Sequence, residues 1–257
     1  MLQAHSPLWH YLWVGPNIFL LCLGCILVFK RKSRKDLPTF LAFCFVASIA
    51  ELALYATDVI PSIPPLGFWF TDWVTIAIEG IVKFVLVGGI FAFVFNSYSS
   101  VARLGRTLIR AVGVTLIMTA AVAAAFAPKN GSFGIVAGAH LLDQTIYLIE
   151  SGLLLFIFVF ASHFHLSLDR KTFGVALGLG ISSCVHLATW AVMANSSLAN
   201  STRYQLDFLN MATYHFCVLI WFYYLLVPGR VIVKSAVPLP ENNLAVWNRE
   251  LERLLQQ

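Results

Sequence analysis

The chain has 257 residues, of which 59% are hydrophobic and 11% are charged, and its mean hydropathy is +0.81. Soluble domains contain about a quarter charged residues, so this composition excludes a soluble globular protein. The formal net charge of +5 could suggest nucleic acid. However, the basic residues lie in short segments between apolar runs, as in membrane proteins, so we expect no nucleic-acid partner.

Seven apolar runs follow one another, and each is long enough for a transmembrane helix, which takes about 20 residues. The sequence therefore predicts an all-α integral membrane protein with a seven-helix bundle in residues 1–230, in contact with a lipid bilayer. The runs are about 10–29, 37–60, 70–95, 107–127, 136–162, 172–194 and 205–227.

Lysine and arginine predict the orientation of this bundle. Five of them follow the first run, three follow the third, two follow the fifth and four follow the seventh. The connections on the other side contain Lys129 and Arg203. Because cytoplasmic connections carry the excess of basic residues, the N-terminus is predicted outside and the C-terminus in the cytoplasm. The membrane would be a plasma membrane or a bacterial inner membrane.

The second and third runs each carry a polar face. In the third, Glu79 and Lys83 are four residues apart, the order that favours an ion pair on one helix. Asp72 and Thr75 lie on the same face at about 100° per residue. The face of the second run consists of Ser48, Glu51, Tyr55 and Asp58.

The fifth run carries the densest polar face. Its polar residues fall within an arc of about 120° at 100° per residue, and all of them lie in its first half. A charge in hydrocarbon costs at least about 2.5–3.5 kcal/mol, so this face must contact protein or water. The residues are His140, Asp143, Gln144, Tyr147, Glu150 and Ser151.

The sixth run adds His186. The seventh run adds Tyr214, and His215 lies at the edge of the same face. With the predicted orientation, all these groups lie at the midplane or in the outer half. The first and fourth runs have no mid-span charge and are predicted to be peripheral. The sequence therefore predicts a pocket among helices two, three, five, six and seven, open to the outer side. The candidate ligand-binding residues are Glu51, Tyr55, Glu79, Lys83, His140, Asp143, Tyr147, Glu150, His186, Tyr214 and His215.

Glu150 is expected at the floor of this pocket, because it lies near the midpoint of its run. We expect it within reach of at least two of Glu51, Glu79, His186 and His215. An acidic pocket favours a small cationic ligand, a proton or a metal ion. The candidate metal ligands are Glu79, Asp143, Glu150, His186 and His215.

The last segment, residues 231–257, is predicted to be a cytoplasmic tail. Residues 243–256 place Leu244, Trp247, Leu251 and Leu254 on one stripe at helical spacing, which predicts an amphipathic helix. Such a helix lies on the inner membrane surface or forms a docking face for a partner.

Three functions fit these features, and a binding role is favoured over catalysis. The architecture resembles seven-helix receptors in general, although the third run ends FNSYSS without Asp-Arg-Tyr and the seventh has no Asn-Pro-x-x-Tyr. This resemblance implies a receptor or sensor. Retinal is not expected, because the seventh run has no lysine. The alternatives are a proton or cation transporter and a membrane metalloenzyme or haem protein using the buried carboxylates and histidines.

Overall fold

A computed structural model describes residues 6–30, 37–95, 132–163, 169–193 and 200–228, together with five single residues, and gives the backbone alone for residues 132–142. All regular structure in these ranges is α-helical. The six helices are α1 (Pro7–Phe29), α2 (Pro38–Val59), α3 (Pro65–Val94), α4 (Ser132–His163), α5 (Arg170–Met193) and α6 (Asn200–Leu226).

All six helices are long and apolar enough to cross a membrane, which confirms six of the seven predicted runs. The fourth predicted run, 107–127, lies outside the described residues apart from four single helical positions. The predicted amphipathic helix 243–256 likewise lies outside them, apart from Arg253. The six-helix bundle is therefore the part of the predicted fold that the structure supports.

Prolines explain why some helices start before the apolar runs do. Pro7, Pro38 and Pro65 each occupy the start of their helix, where the missing N–H costs no hydrogen bond and the fixed φ suits a helix. The backbone N–H of Trp9 donates to the Ser6 hydroxyl at 3.3 Å. This cap explains why α1 begins before the predicted position 10.

The helices pack as a ring, each against the next in the chain, and α6 returns to pack against α1. Most neighbours are antiparallel, but two pairs are parallel. Phe95 of α3 contacts Phe160 of α4, and an added Cβ at Gly80 would meet Ile146, so α3 and α4 run in the same direction. The α1–α6 pair is also parallel, because Trp9 contacts Tyr204 near the start of both helices and Phe19 contacts Phe222 farther along both.

The bundle divides into two halves along its axis. The apolar half is the one in which α1, α3, α4 and α6 end, and the polar half is the one in which they begin. One continuous core fills the apolar half with side chains from all six helices, including the fully buried Phe40, Phe43 and Trp221. Away from the helix ends and the middle of the bundle, the described residues of this half contain no Asp, Glu, Lys, Arg or His, in agreement with the predicted distribution of charge.

Candidate functional site

The polar half encloses a cavity of about 350 Å³ between the six helices. A second cavity of about 190 Å³ adjoins it, and we call the two the larger and the smaller cavity. Both are bordered by residues of α2, α3, α4 and α5. The shared residues are Glu51, Asp72, Glu79, Lys83, Tyr147 and His186.

Carboxylates dominate the wall of the larger cavity. Glu51, Asp72, Glu79 and Asp207 border it, against Lys83 as the single lysine in its described lining. The indole N–H of Trp13 donates to Oε2 of Glu51 at 3.1 Å, which fixes this carboxylate at the α1–α2 contact. The charges of the wall therefore favour a cation in the cavity.

Lys83 is held by two neighbours. Its Nζ lies 3.4 Å from Oε2 of Glu79, which confirms the predicted ion pair, and donates to the Tyr147 hydroxyl at 3.2 Å. The ammonium also lies 4.5 Å from the centre of the Tyr147 ring. Because Lys83 is only 8% exposed, these contacts are what compensates its charge within the bundle.

Tyr147 connects this ion pair to a second pair of polar side chains on α4 and α5. Its ring stacks on His186 with the ring centres 4.0 Å apart, and Nε2 of His186 lies 3.2 Å from Oδ2 of Asp143. Asp143 borders the smaller cavity. A continuous chain of polar side chains therefore crosses three helices, with ring stacking joining Tyr147 to His186. Its members are Glu79, Lys83, Tyr147, His186 and Asp143.

The first helix takes part in the site, so the prediction that it is peripheral is wrong. Trp9, Trp13 and Asn17 border the larger cavity, and Leu20 and Leu23 belong to the apolar core. The prediction relied on mid-span charge, which α1 lacks, whereas tryptophan and asparagine contribute without charge. Asn17 directly after Pro16, within an apolar run, was the available signal.

The other predicted site residues do not all border the cavities. Tyr214 borders the larger cavity. Tyr55 instead contacts Nδ1 of His10 through its hydroxyl at 3.2 Å, and His215 packs between Tyr11 and Phe19 of α1. Neither Tyr55 nor His215 is among the described residues that border the two cavities. The side chain of His140 lies outside the described residues.

Glu150 is 1% exposed, so it faces protein as expected, but it borders neither cavity. Neither of its carboxylate oxygens has a hydrogen-bond partner among the described residues. Ser183 of α5 lies beside it, but the Ser183 hydroxyl donates to the Leu179 carbonyl at 2.9 Å. Glu150 thus lies between the cavities and the apolar core, within the electrostatic influence of Lys83.

Two further polar residues belong to the wall. Asn210 of α6 and Ser182 of α5 border the larger cavity. The Thr189 hydroxyl lies 2.7 Å from Oδ1 of Asn210, which ties α5 to α6 at this level. The sequence analysis did not include these residues among the candidate ligand-binding residues.

The candidate metal ligands do not assemble into a ligand set. In the described part of the chain, no three side chains among His, Cys, Asp and Glu converge as a metal ion requires. A catalytic zinc site uses three protein ligands. The described side chains of this region therefore form ion pairs around a cavity and do not form a three-ligand metal site.

The arrangement as a whole is an acidic and partly aromatic cavity with a paired lysine at its side. Pockets for small ligands combine apolar and aromatic walls with a few polar groups, and this cavity has both. No protein-family model matches the chain, and no curated protein and no solved structure shows significant similarity to it.

Proposed function

We propose that this chain is a receptor-like or sensor-like membrane protein that binds a small cation in the larger cavity. The observation that carries the proposal is the charge of the cavity wall, where four carboxylates face one lysine. That lysine is already paired with Glu79, so negative charge remains for a ligand. Residues 1–230 form the binding domain in this proposal.

The proposed bundle has seven helices, with the N-terminus outside and the C-terminus in the cytoplasm. Because α3 and α4 are parallel, the chain between residues 95 and 132 must return from the apolar end to the polar end. The apolar run 107–127 has the length for that crossing. The basic residues after the first, third, fifth and seventh runs then lie in the cytoplasm, and the cavity opens outward.

The tail, residues 231–257, completes the proposal. The amphipathic segment 243–256 would bind the cytoplasmic membrane surface or a signalling partner through its Leu and Trp stripe. A receptor needs such a contact on the side opposite its ligand. The protein would act in a plasma or inner membrane.

A transporter of protons or cations is the weaker proposal. It needs a path on both sides of the site, and relays in membranes use Glu, Asp and His chains. The polar chain from Glu79 to Asp143 could form one half of a relay. Away from the helix ends and the middle of the bundle, the described residues of the apolar half include no Asp, Glu or His, which favours binding over transport.

Orientation is tested with single cysteines in a variant from which the five native cysteines have been removed. A cysteine at Ser132 should react with an impermeant thiol reagent in intact cells. A cysteine at Ser33 should react with it only after the cells are lysed. The opposite pattern would contradict the outward cavity.

Binding is tested by calorimetry on the full chain in lipid nanodiscs, with benzylammonium as the probe. Glu51→Gln should weaken binding by about tenfold or more, the equivalent of one hydrogen bond to a charged group, because glutamine keeps the shape and loses the charge. Asp58→Asn is the matched control, since Asp58 lies on the same helix and outside the described cavity lining. Equal affinity in both variants, or no binding to the unmodified protein, would refute the proposal.

A further inference from the structure

Asn17 is a buried polar residue of the larger cavity wall with an unused acceptor. It is 3% exposed and borders the cavity from α1. Its Nδ2 donates to the Trp13 carbonyl at 2.9 Å. A carbonyl can accept but not donate, so this bond identifies which side-chain atom is nitrogen. Oδ1 has no hydrogen-bond partner among the described residues.

Glu51 offers a second acceptor on the other side of Trp13. Its Oε2 accepts from the indole N–H, and its Oε1 accepts no hydrogen bond from the described residues. Asn17 and Trp13 are one helical turn apart on α1, and both border the larger cavity together with Glu51. Buried polar atoms are nearly always paired, which makes a bound hydrogen-bond donor the expected partner for this corner of the cavity.

The apolar residues of the cavity wall indicate the chemical character of the rest of the donor molecule. Trp9, Leu12, Met211 and Tyr214 border the same cavity and present aromatic and aliphatic surface. A volume of about 350 Å³ lies in the range of small-molecule pockets and exceeds what a proton or a bare ion needs. A metal ion would also need several converging ligands, and the described residues contain no group of three His, Cys, Asp or Glu side chains placed to hold one.

We propose that the ligand is a small organic ammonium ion that retains N–H groups, a primary or secondary amine with an apolar body, and that Asn17 accepts one of its hydrogen bonds. The proposal rests on the proposed function and narrows it to one class of ligand. A primary ammonium has three donors and no acceptor, which complements Oδ1 of Asn17 and the carboxylate of Glu51. A quaternary ammonium keeps the charge and the attraction to aromatic faces but has no N–H to donate.

The test compares benzylammonium with benzyltrimethylammonium by calorimetry, using the full chain in lipid nanodiscs. The unmodified protein should bind benzylammonium at least about tenfold more tightly, since 1.4 kcal/mol corresponds to tenfold in affinity. Asn17→Leu should lower the affinity for benzylammonium by about tenfold and leave that for benzyltrimethylammonium unchanged. Asn17→Asp, which keeps an acceptor, should retain the preference.

The possible results distinguish this inference from the proposed cation-binding function on which it rests. If both ions bind equally well, or if Asn17→Leu changes neither affinity, the inference is wrong while the cation-binding function stands. If neither ion binds, both are wrong. Should Asn17→Leu not fold, the selectivity of the unmodified protein and of Asn17→Asp still decides the question.

Discussion

The apolar half and the polar half of the bundle consist of the same six helices, but the space between the helices is filled in one half and open in the other. In the apolar half, side chains from every helix meet in one core around Trp221, which is fully buried. In the polar half, the same helices leave the larger cavity between them. Apolar side chains interdigitate at close packing, whereas charged groups must keep partners or water around them. The half that stabilises the fold and the half that offers a site are therefore separate.

The contrast also appears in how α5 meets α6. In the apolar half, Gly174 and Gly178 of α5 leave room for Tyr224 and Trp221 of α6, and the Trp221 indole donates to the Val175 carbonyl at 3.3 Å. Small residues allow helices to approach closely in membranes. In the polar half the two helices are joined instead by the bond between Thr189 and Asn210.

The largest effect is expected from removing the centre of the apolar half. Trp221→Ala should lower the free energy of unfolding by about 3–5 kcal/mol, because it leaves a large cavity in the core. Phe216→Ala is the control on the same helix, since Phe216 is 56% exposed. Unfolding of both variants in SDS, followed by circular dichroism, measures the difference. Similar losses in the two variants would contradict a core centred on Trp221.

The next effect concerns the ion pair beside the cavities. Lys83→Met should destabilise by about 3–5 kcal/mol, because Glu79 is left as a buried charge without its partner. The double variant Glu79→Gln with Lys83→Met should lose less than Lys83→Met alone. Lys30→Met, at the exposed end of α1, is the control and should change stability by about 0.5 kcal/mol or less. Additive losses in a thermal double-mutant cycle would show that the two side chains do not interact.

The smallest effect tests the close approach of α5 and α6. A Cβ added at Gly178 would collide with the Trp221 indole, so Gly178→Ala should cost about 1–3 kcal/mol through overpacking. Gly152→Ala is the same change on α4, where nothing lies within 4 Å of the added atom. There alanine should raise stability by up to about 1 kcal/mol through its higher helix propensity. Melting temperatures that move in the same direction would contradict the difference between the two sites.

The sequence by itself determined six helices that are long and apolar enough to cross a membrane, and which half of each helix carries its charged residues. Both follow from local properties, since hydropathy over about 20 residues defines a span and position along a helix follows from a fixed rise per residue. The pairing of Glu79 with Lys83 was also predictable, because four residues on one helix always place two side chains together.

The tertiary structure alone decided how each helix is rotated against its neighbours. It turned Asn17 and Trp13 of α1 toward the larger cavity and packed His215 against Tyr11 and Phe19 of α1. It also placed Glu150 behind the cavity wall. The polar stripe of one helix indicates a face that avoids lipid, but which neighbour that face meets depends on how the side chains of both helices interlock.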